Sequence, residues 1–227
     1  MSRPPLVIEA IGDESERGAF TAASGLLREL LVDVEGGVSS VDMRIRTSGD
    51  ENNSAVQPAA IIRSLLPEAA LDKEALPETK RRLERELSAL KARAGAVLIC
   101  TVFRGVGRTS PEQQKFDTSR LERIRRVNLL AVELSHEFDV SVIDIDRVFA
   151  HLGGRALGCD YRPLTSLAAN AAAYTIVSEL LELAPELGIP PELEERAKAV
   201  YGGAPNLLGF LQRRLPKAGN AGTHERH

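Results

Sequence analysis

The chain has 227 residues, 43% of them hydrophobic and 27% charged, which is enough to bury a substantial core and is typical of a globular protein. Its net charge of −3 gives no electrostatic support to nucleic-acid binding, and two cysteines, Cys100 and Cys159, are too few for a disulfide framework. No apolar stretch reaches the length of a membrane span, and the first apolar run is too short for a signal peptide. We therefore expect a cytoplasmic protein with no membrane or nucleic-acid partner.

Five apolar segments rich in β-forming residues predict five strands. The third segment could also be helical, because Ala and Leu suit a helix. The fourth is almost purely apolar, which is typical of a strand covered by helices on both faces. The five segments are Leu6–Ile11, Val41–Ile45, Ala59–Leu66, Ala96–Phe103 and Val140–Ile145.

Four segments carry apolar residues at helical spacing and alternate with the strands. Strands that alternate with helices favour a parallel sheet covered on both faces, a three-layer αβα sandwich with flavodoxin-like strand order. The connection between the second and third strands is short for a parallel crossover. The predicted helices are Ala19–Leu31, Pro77–Ala94, Thr118–Glu137 and Ser166–Leu183.

The composition changes after residue 184, which predicts three parts: an α/β domain at 1–184, a helical extension at 185–215 and a disordered tail at 216–227. Pro190 and Pro191 begin a charged helix that ends near Tyr201. The segment Asn206–Leu215 concentrates leucine and phenylalanine, so it could pack on the domain itself or dock a protein partner.

Four turns of the chain resemble the motifs of the SGNH/GDSL hydrolase family, over residues 6–183. Gly12-Asp13-Glu14 follows the first strand, where the family has Gly-Asp-Ser with the nucleophile. Gly49 follows the second strand, where a family glycine helps to form the oxyanion hole. Leu66-Pro67-Glu68-Ala69 stands where the family has Gly-x-Asn-Asp, and Asp160-Tyr161-Arg162-Pro163-Leu164-Thr165 where it has Asp-x-x-His-Leu-Ser/Thr.

The departures from those motifs matter most for function. The resemblance places Glu14 at the nucleophile position, Glu68 at the oxyanion asparagine and Pro163 at the catalytic histidine, and only Gly49 and Asp160 are retained. Acyl transfer by a triad needs a hydroxyl and an imidazole, and a carboxylate repels a developing oxyanion. We therefore expect a non-hydrolytic binding or accessory protein, with a protein partner at its C-terminal helices or a small acyl ligand, and no cofactor.

An active acyl-ester hydrolase or acyltransferase is the alternative. Ser15 lies one residue beyond the expected nucleophile and His151 lies between the fifth strand and Asp160, so these three could form a shifted catalytic set, or a carboxylate such as Glu14 could act. Ser15 could equally cap the first helix, and His151 could be an ordinary loop residue.

The third hypothesis is a divalent-metal site. Several carboxylates are expected at the carboxyl ends of the strands, where Mg²⁺ or Ca²⁺ could hold them together. Alternatively they cap helices or are neutralised by Arg17, Arg104, Arg108 and Arg162. The acidic set is Asp13, Glu14, Asp50, Glu51, Glu68, Asp144, Asp146 and Asp160.

Overall fold

A computed structural model of the chain describes residues 5–32, 37–47, 56–71, 74–105, 111–193 and 195, with the backbone alone for 111–117. The described chain contains a five-stranded parallel sheet in the order β2-β1-β3-β4-β5. The predicted flavodoxin-like order is therefore confirmed. The strands are β1 (Leu6–Gly12), β2 (Val41–Thr47), β3 (Ala60–Ser64), β4 (Ala96–Cys100) and β5 (Ser141–Ile143).

Helices cover both faces of the sheet, because alternate residues of the buried strands point to opposite sides and each side must be shielded from water. One face packs against α1, α5, α6 and α7, and the other against α2, α3 and α4. The helices are α1 (Arg17–Leu31), α2 (Leu66–Ala70), α3 (Leu76–Lys91), α4 (Pro111–Phe138), α5 (Ile145–Leu152), α6 (Gly154–Leu157) and α7 (Ser166–Glu182).

Small residues let α7 lie close to the sheet and to α1. Ala168, Ala171 and Ala173 are fully buried. Thr165 begins the helix by accepting a hydrogen bond from the Ala168 amide at 3.1 Å and donating one to the Leu157 carbonyl at 2.6 Å. This cap fixes where the preceding loop enters the helix, and that loop contains Asp160 and Pro163.

The predicted third, fourth and fifth strands extend beyond the observed ones at their C-terminal ends, and two of these ends have a clear local cause. The third strand ends at Ser64 rather than Leu66, because Pro67 favours a helix start and α2 follows at once. The fifth strand ends at Ile143 rather than Ile145, because Asp144 accepts a hydrogen bond from the Arg147 amide and caps α5, a helix in a region predicted as loop.

The start of the C-terminal extension packs on the domain. Leu187, Ile189 and Leu193 are buried in the same core cluster as α1 and α7. The rest of the predicted helix to Tyr201, the Asn206–Leu215 segment and the tail lie outside the described residues. No helix in the described ranges is long and apolar enough to cross a membrane.

Candidate functional site

The turn after β1 is closed by its own side chains. Asp13 accepts hydrogen bonds from the amide of Ser15 at 2.9 Å and from the Ser15 hydroxyl at 2.6 Å. Glu16 Oε2 in turn accepts a hydrogen bond from the Asp13 amide at 2.9 Å. This reciprocal arrangement is a capping box, and it holds Glu14–Glu16 as one turn of 3-10 helix ahead of α1.

Glu14, which stands at the nucleophile position by resemblance, points into solvent. Its carboxylate forms an ion pair with Arg17, with Nε 2.6 Å from Oε1, and both side chains are more than half exposed. The hydrogen bond from Arg17 lowers the pKa of Glu14, so the group is ionised at neutral pH. An exposed, ionised and paired carboxylate is a poor base and a poor nucleophile.

Glu16 turns the other way, into the protein. Its Oε1 accepts a hydrogen bond from the Ser64 hydroxyl at 2.6 Å, and its Oε2 is the acceptor for the Asp13 amide. Burial raises the pKa of Glu16 to about 7, although the two hydrogen bonds favour the ionised form. Gly12 makes this approach feasible, since a Cβ there would lie 2.7 Å from Glu16 Oε2.

Beside Glu16, a narrow apolar cavity of about 20 Å³ remains at the carboxyl ends of the strands. That volume holds roughly one water molecule. Phe103 lines one side of the cavity. Its ring packs against Gly105 and Gly154, where a Cβ would lie within 2.7 Å of the ring. The side chains around the cavity include Phe20, Cys100, Thr101, Phe149, Tyr161 and Pro163.

Neither cysteine offers a reactive thiolate. Cys100 borders the cavity, but burial raises the pKa of its thiol well above the ordinary value. Burial also raises the pKa of Cys159 to about 11, with a smaller contribution from the nearby Asp160. Because the thiolate is the nucleophilic form, both side chains are unreactive near neutral pH.

Asp160, the retained acid of the family motif, is occupied by Arg162. The Arg162 amide and guanidinium both donate to its carboxylate, at 2.8 Å to Oδ1 and 2.8 Å to Oδ2. The Arg162 guanidinium also lies over the Tyr161 ring, 5.2 Å from its centroid, and Arg120 lies 5.5 Å from the same ring. Pro163, at the position of the catalytic histidine by resemblance, borders the cavity.

The structure does not connect the shifted catalytic set. Ser15 is bonded to Asp13, Asp160 is bonded to Arg162, and His151 lies exposed in the last turn of α5. No hydrogen bond joins any two of Ser15, His151 and Asp160, all three of which are described. Without an imidazole beside it, the Ser15 hydroxyl lacks the base of a serine–histidine–acid triad.

Glu68 lies in a buried ion-pair cluster and not beside the cavity. Its Oε1 is 2.7 Å from Arg63 and 2.9 Å from Arg82, and the Glu68 and Arg63 side chains are 1% and 0% exposed. Arg63 also pairs with Glu86 at 2.7 Å. Glu68, at the position of the oxyanion asparagine by resemblance, is therefore held by guanidiniums from β3 and α3 and does not line the cavity.

Most acidic residues of the predicted rim have local partners. Asp13 and Asp144 cap helical turns, and Asp146 pairs with Arg104 at 2.6 Å. No group of three or more His, Cys, Asp or Glu side chains in the described ranges is arranged to hold a metal ion. Gly49, Asp50 and Glu51 lie outside the described residues, as does Arg108.

Comparison of the sequence with family profiles and curated proteins gives no match. Solved structures are similar in fold: a mutant of an acetyl-xylooligosaccharide esterase from Geobacillus stearothermophilus superposes with a TM-score of 0.59 at 14% identity, over 84% of this chain and 98% of the esterase. A protein assigned as an SGNH hydrolase from Slackia heliotrinireducens gives 0.56 at 12%, over 78% and 99%. The chain has the SGNH-hydrolase fold.

Within this SGNH fold, sequence reasoning missed Glu16 and Ser64, whose hydrogen bond links the turn after β1 to the end of β3. One signal was readable: Asp13 and Glu16 have the spacing of a capping box, with the acid three residues beyond the cap. The contact with Ser64, 48 residues away, depends on strand order and could not be read from local pattern.

Proposed function

We propose that this chain is a non-hydrolytic member of the SGNH fold, acting as a binding or accessory protein rather than as a serine hydrolase. Its target is a protein partner or a small acyl ligand. The similar solved structures include proteins described as esterases. A non-hydrolytic role therefore does not follow from the fold similarity and rests on the contacts of the residues.

One observation carries the proposal: the Ser15 hydroxyl donates to the Asp13 carboxylate at 2.6 Å, with no imidazole in contact. Serine hydrolysis requires a base that takes the hydroxyl proton and later returns it to the leaving group. Asp13 is fixed by the same turn that it caps, and the chain has Pro163 where the resemblance places the base. The Ser15 hydroxyl therefore stabilises the turn after β1.

The dimensions of the cavity also support a non-hydrolytic role. A space of about 20 Å³ cannot accommodate an acyl group and an attacking water together, and Phe20, Phe103 and Phe149 fill the volume around it. A ligand bound at this end of the sheet would contact the surface formed by Tyr161, Pro163 and the exposed Leu164.

A second candidate, an esterase with a different catalytic pair, is favoured by the Glu16–Ser64 hydrogen bond. A carboxylate whose pKa is about 7 is suited to act as a general base. Ser64 Oγ would attack an ester carbonyl, Glu16 would accept the proton, and the same proton would pass to the departing alkoxide. Ser64 is, however, fully buried, and its hydroxyl oxygen also accepts a hydrogen bond from the Leu66 amide at 3.1 Å. Both features oppose attack on a substrate.

Ester turnover separates these functions. Purified wild type is assayed with p-nitrophenyl esters of increasing acyl length, beside Ser15→Ala, Ser64→Ala and His151→Ala. We expect the four proteins to give the same rate as buffer. Turnover lost only in Ser15→Ala and His151→Ala would establish the shifted triad, and turnover lost only in Ser64→Ala would establish the second candidate; either result contradicts the non-hydrolytic proposal.

A further inference from the structure

The outer face of α4 carries two neighbouring exposed apolar side chains. Leu129 is 64% exposed and Val132 is 49% exposed, and their spacing of three residues places them side by side on the helix. The opposite face of the same helix is buried against the sheet through Ile124, Val127, Leu130, Ala131 and Leu134. Leu129 and Val132 therefore take no part in the packing of α4 against the sheet.

The charges on either side of this apolar pair have opposite sign. Toward the N-terminus lie Glu122, Arg125 and Arg126, whose formal charges leave one positive charge. Arg126 forms an ion pair with Glu122, whereas Arg125 has no ion-pair partner among the described residues. The N-terminal side of the patch is therefore basic.

On the C-terminal side of the apolar pair the net charge is negative. Glu133 and Glu137 share Lys80 of α3, whose Nζ lies 3.3 Å and 2.6 Å from their carboxylates. One lysine and two glutamates leave one negative charge. A surface that is positive on one side of an apolar centre and negative on the other is complementary to itself when turned by 180°.

We propose that α4 pairs antiparallel with α4 of a second copy of this chain, with Leu129 at the two-fold axis. In that register Leu129 packs on Leu129 of the partner subunit, Arg125 faces Glu133 of the partner subunit, and Val132 covers the aliphatic stem of Arg126. A parallel pairing would place like charges opposite each other, which is unfavourable. The charge order therefore selects the antiparallel arrangement.

The contact is small, because it involves one helix from each copy and two apolar residues at its centre. Interfaces below about 1,200 Å² in total are typical of weak or transient complexes. We expect a dissociation constant on the order of tens of micromolar, so that the dimer forms and dissociates with protein concentration.

Sedimentation equilibrium of the full chain from about 1 to 500 µM tests the pairing. Wild type should change from monomer to dimer across this range, Leu129→Glu should remain monomeric, and Leu164→Glu, an equally exposed leucine on another surface, should behave as wild type. Thermal melts that match wild type would show that each variant is folded. A wild type that stays monomeric at every concentration contradicts the proposal.

A charge exchange tests the register itself. Arg125→Glu and Glu133→Arg should each weaken the dimer about tenfold, because the two-fold axis creates two like-charge contacts from one substitution. The double variant restores both contacts with reversed sign and should regain an affinity within about threefold of wild type. Two single variants that weaken binding with no recovery in the double variant would contradict the antiparallel register.

Discussion

Glu16 and Glu68 both leave the carboxyl ends of central strands and turn into the protein, yet their surroundings differ. Glu68 meets two guanidiniums, at 2.7 Å from Arg63 and 2.9 Å from Arg82. Glu16 meets only neutral donors, the Ser64 hydroxyl and the Asp13 amide. Glu68 is therefore compensated by direct ion pairs, whereas Glu16 is compensated mainly by hydrogen bonds, with a smaller attraction from the charge of Arg63.

This difference determines what each residue can do. A buried carboxylate that pairs with two arginines links the elements that carry them, because direct attraction offsets the cost of desolvation. A carboxylate with neutral partners keeps a raised pKa and can take up a proton near neutral pH. The resemblance to a hydrolase motif indicated Glu68 as a site residue. The surroundings instead make Glu16 the carboxylate that can change its protonation state near neutral pH.

Breaking the compensated site should have the largest effect. Glu68→Gln removes one of the two carboxylates that pair with the fully buried Arg63, and should lower the free energy of unfolding by about 3–5 kcal/mol. Urea unfolding at neutral pH measures the change. Glu14→Gln is the matched control, since it breaks an ion pair that is exposed on both sides and should leave the midpoint unchanged. Equal effects of the two variants would show that burial does not distinguish them.

The Glu16 site should make stability depend on pH. The pKa of Glu16 rises from 4.5 to about 7 on folding, so its stabilising contribution is complete below pH 4.5 and is lost as the pH rises through 7. The loss amounts to up to roughly 3 kcal/mol, at 1.36 kcal/mol per pKa unit.

Glu16→Gln isolates this term from the other groups that titrate. Its amide can accept from the Asp13 amide and donate to Ser64, and it cannot ionise. We expect the difference in unfolding free energy between the variant and wild type to move in favour of the variant from pH 5 to pH 8. A difference that stays constant with pH would mean that Glu16 does not titrate in this interval.

The close approach of Glu16 to β1 should make Gly12 intolerant of a side chain. A methyl group at residue 12 would lie 2.7 Å from Glu16 Oε2 and 3.0 Å from Phe20, so Gly12→Ala should destabilise the fold by about 1–3 kcal/mol. Gly25→Ala is the control: nothing lies within 4 Å of a Cβ there, in the middle of α1, and the variant should be more stable by about 0.5–1 kcal/mol. Thermal melts compare the two, and a neutral Gly12→Ala would mean that the turn relaxes at little cost.

The fold could be predicted because apolar runs and helical spacing are local signals. Residues 96–103 are almost purely apolar, and the observed β4 at Ala96–Cys100 lies inside the sheet, between β3 and β5. The short helix α5 was missed although Ile145, Val148, Phe149 and Leu152 have helical spacing, because the glycines that follow at 153, 154 and 158 favour a loop.

The candidate site was less predictable, because its decisive contacts join residues far apart in the chain. Ser64 meets Glu16 across 48 residues, and Glu86 meets Arg63 across 23. Motif matching singled out both Pro163, which borders the cavity, and Glu68, which does not. It could not place Glu68, because the arginines that draw the carboxylate inward lie on β3 and α3, outside the motif.

Covalent labelling tests the central claim, that neither Ser15 nor Ser64 is activated for attack. The wild-type protein is incubated at pH 7.5 with a fluorophosphonate that phosphonylates activated serine hydroxyls, and its intact mass is recorded over several hours. The hydrogen bonding of Ser15 to Asp13 and the burial of Ser64 predict an unchanged mass. A single phosphonyl adduct that disappears in Ser15→Ala or in Ser64→Ala would contradict the account.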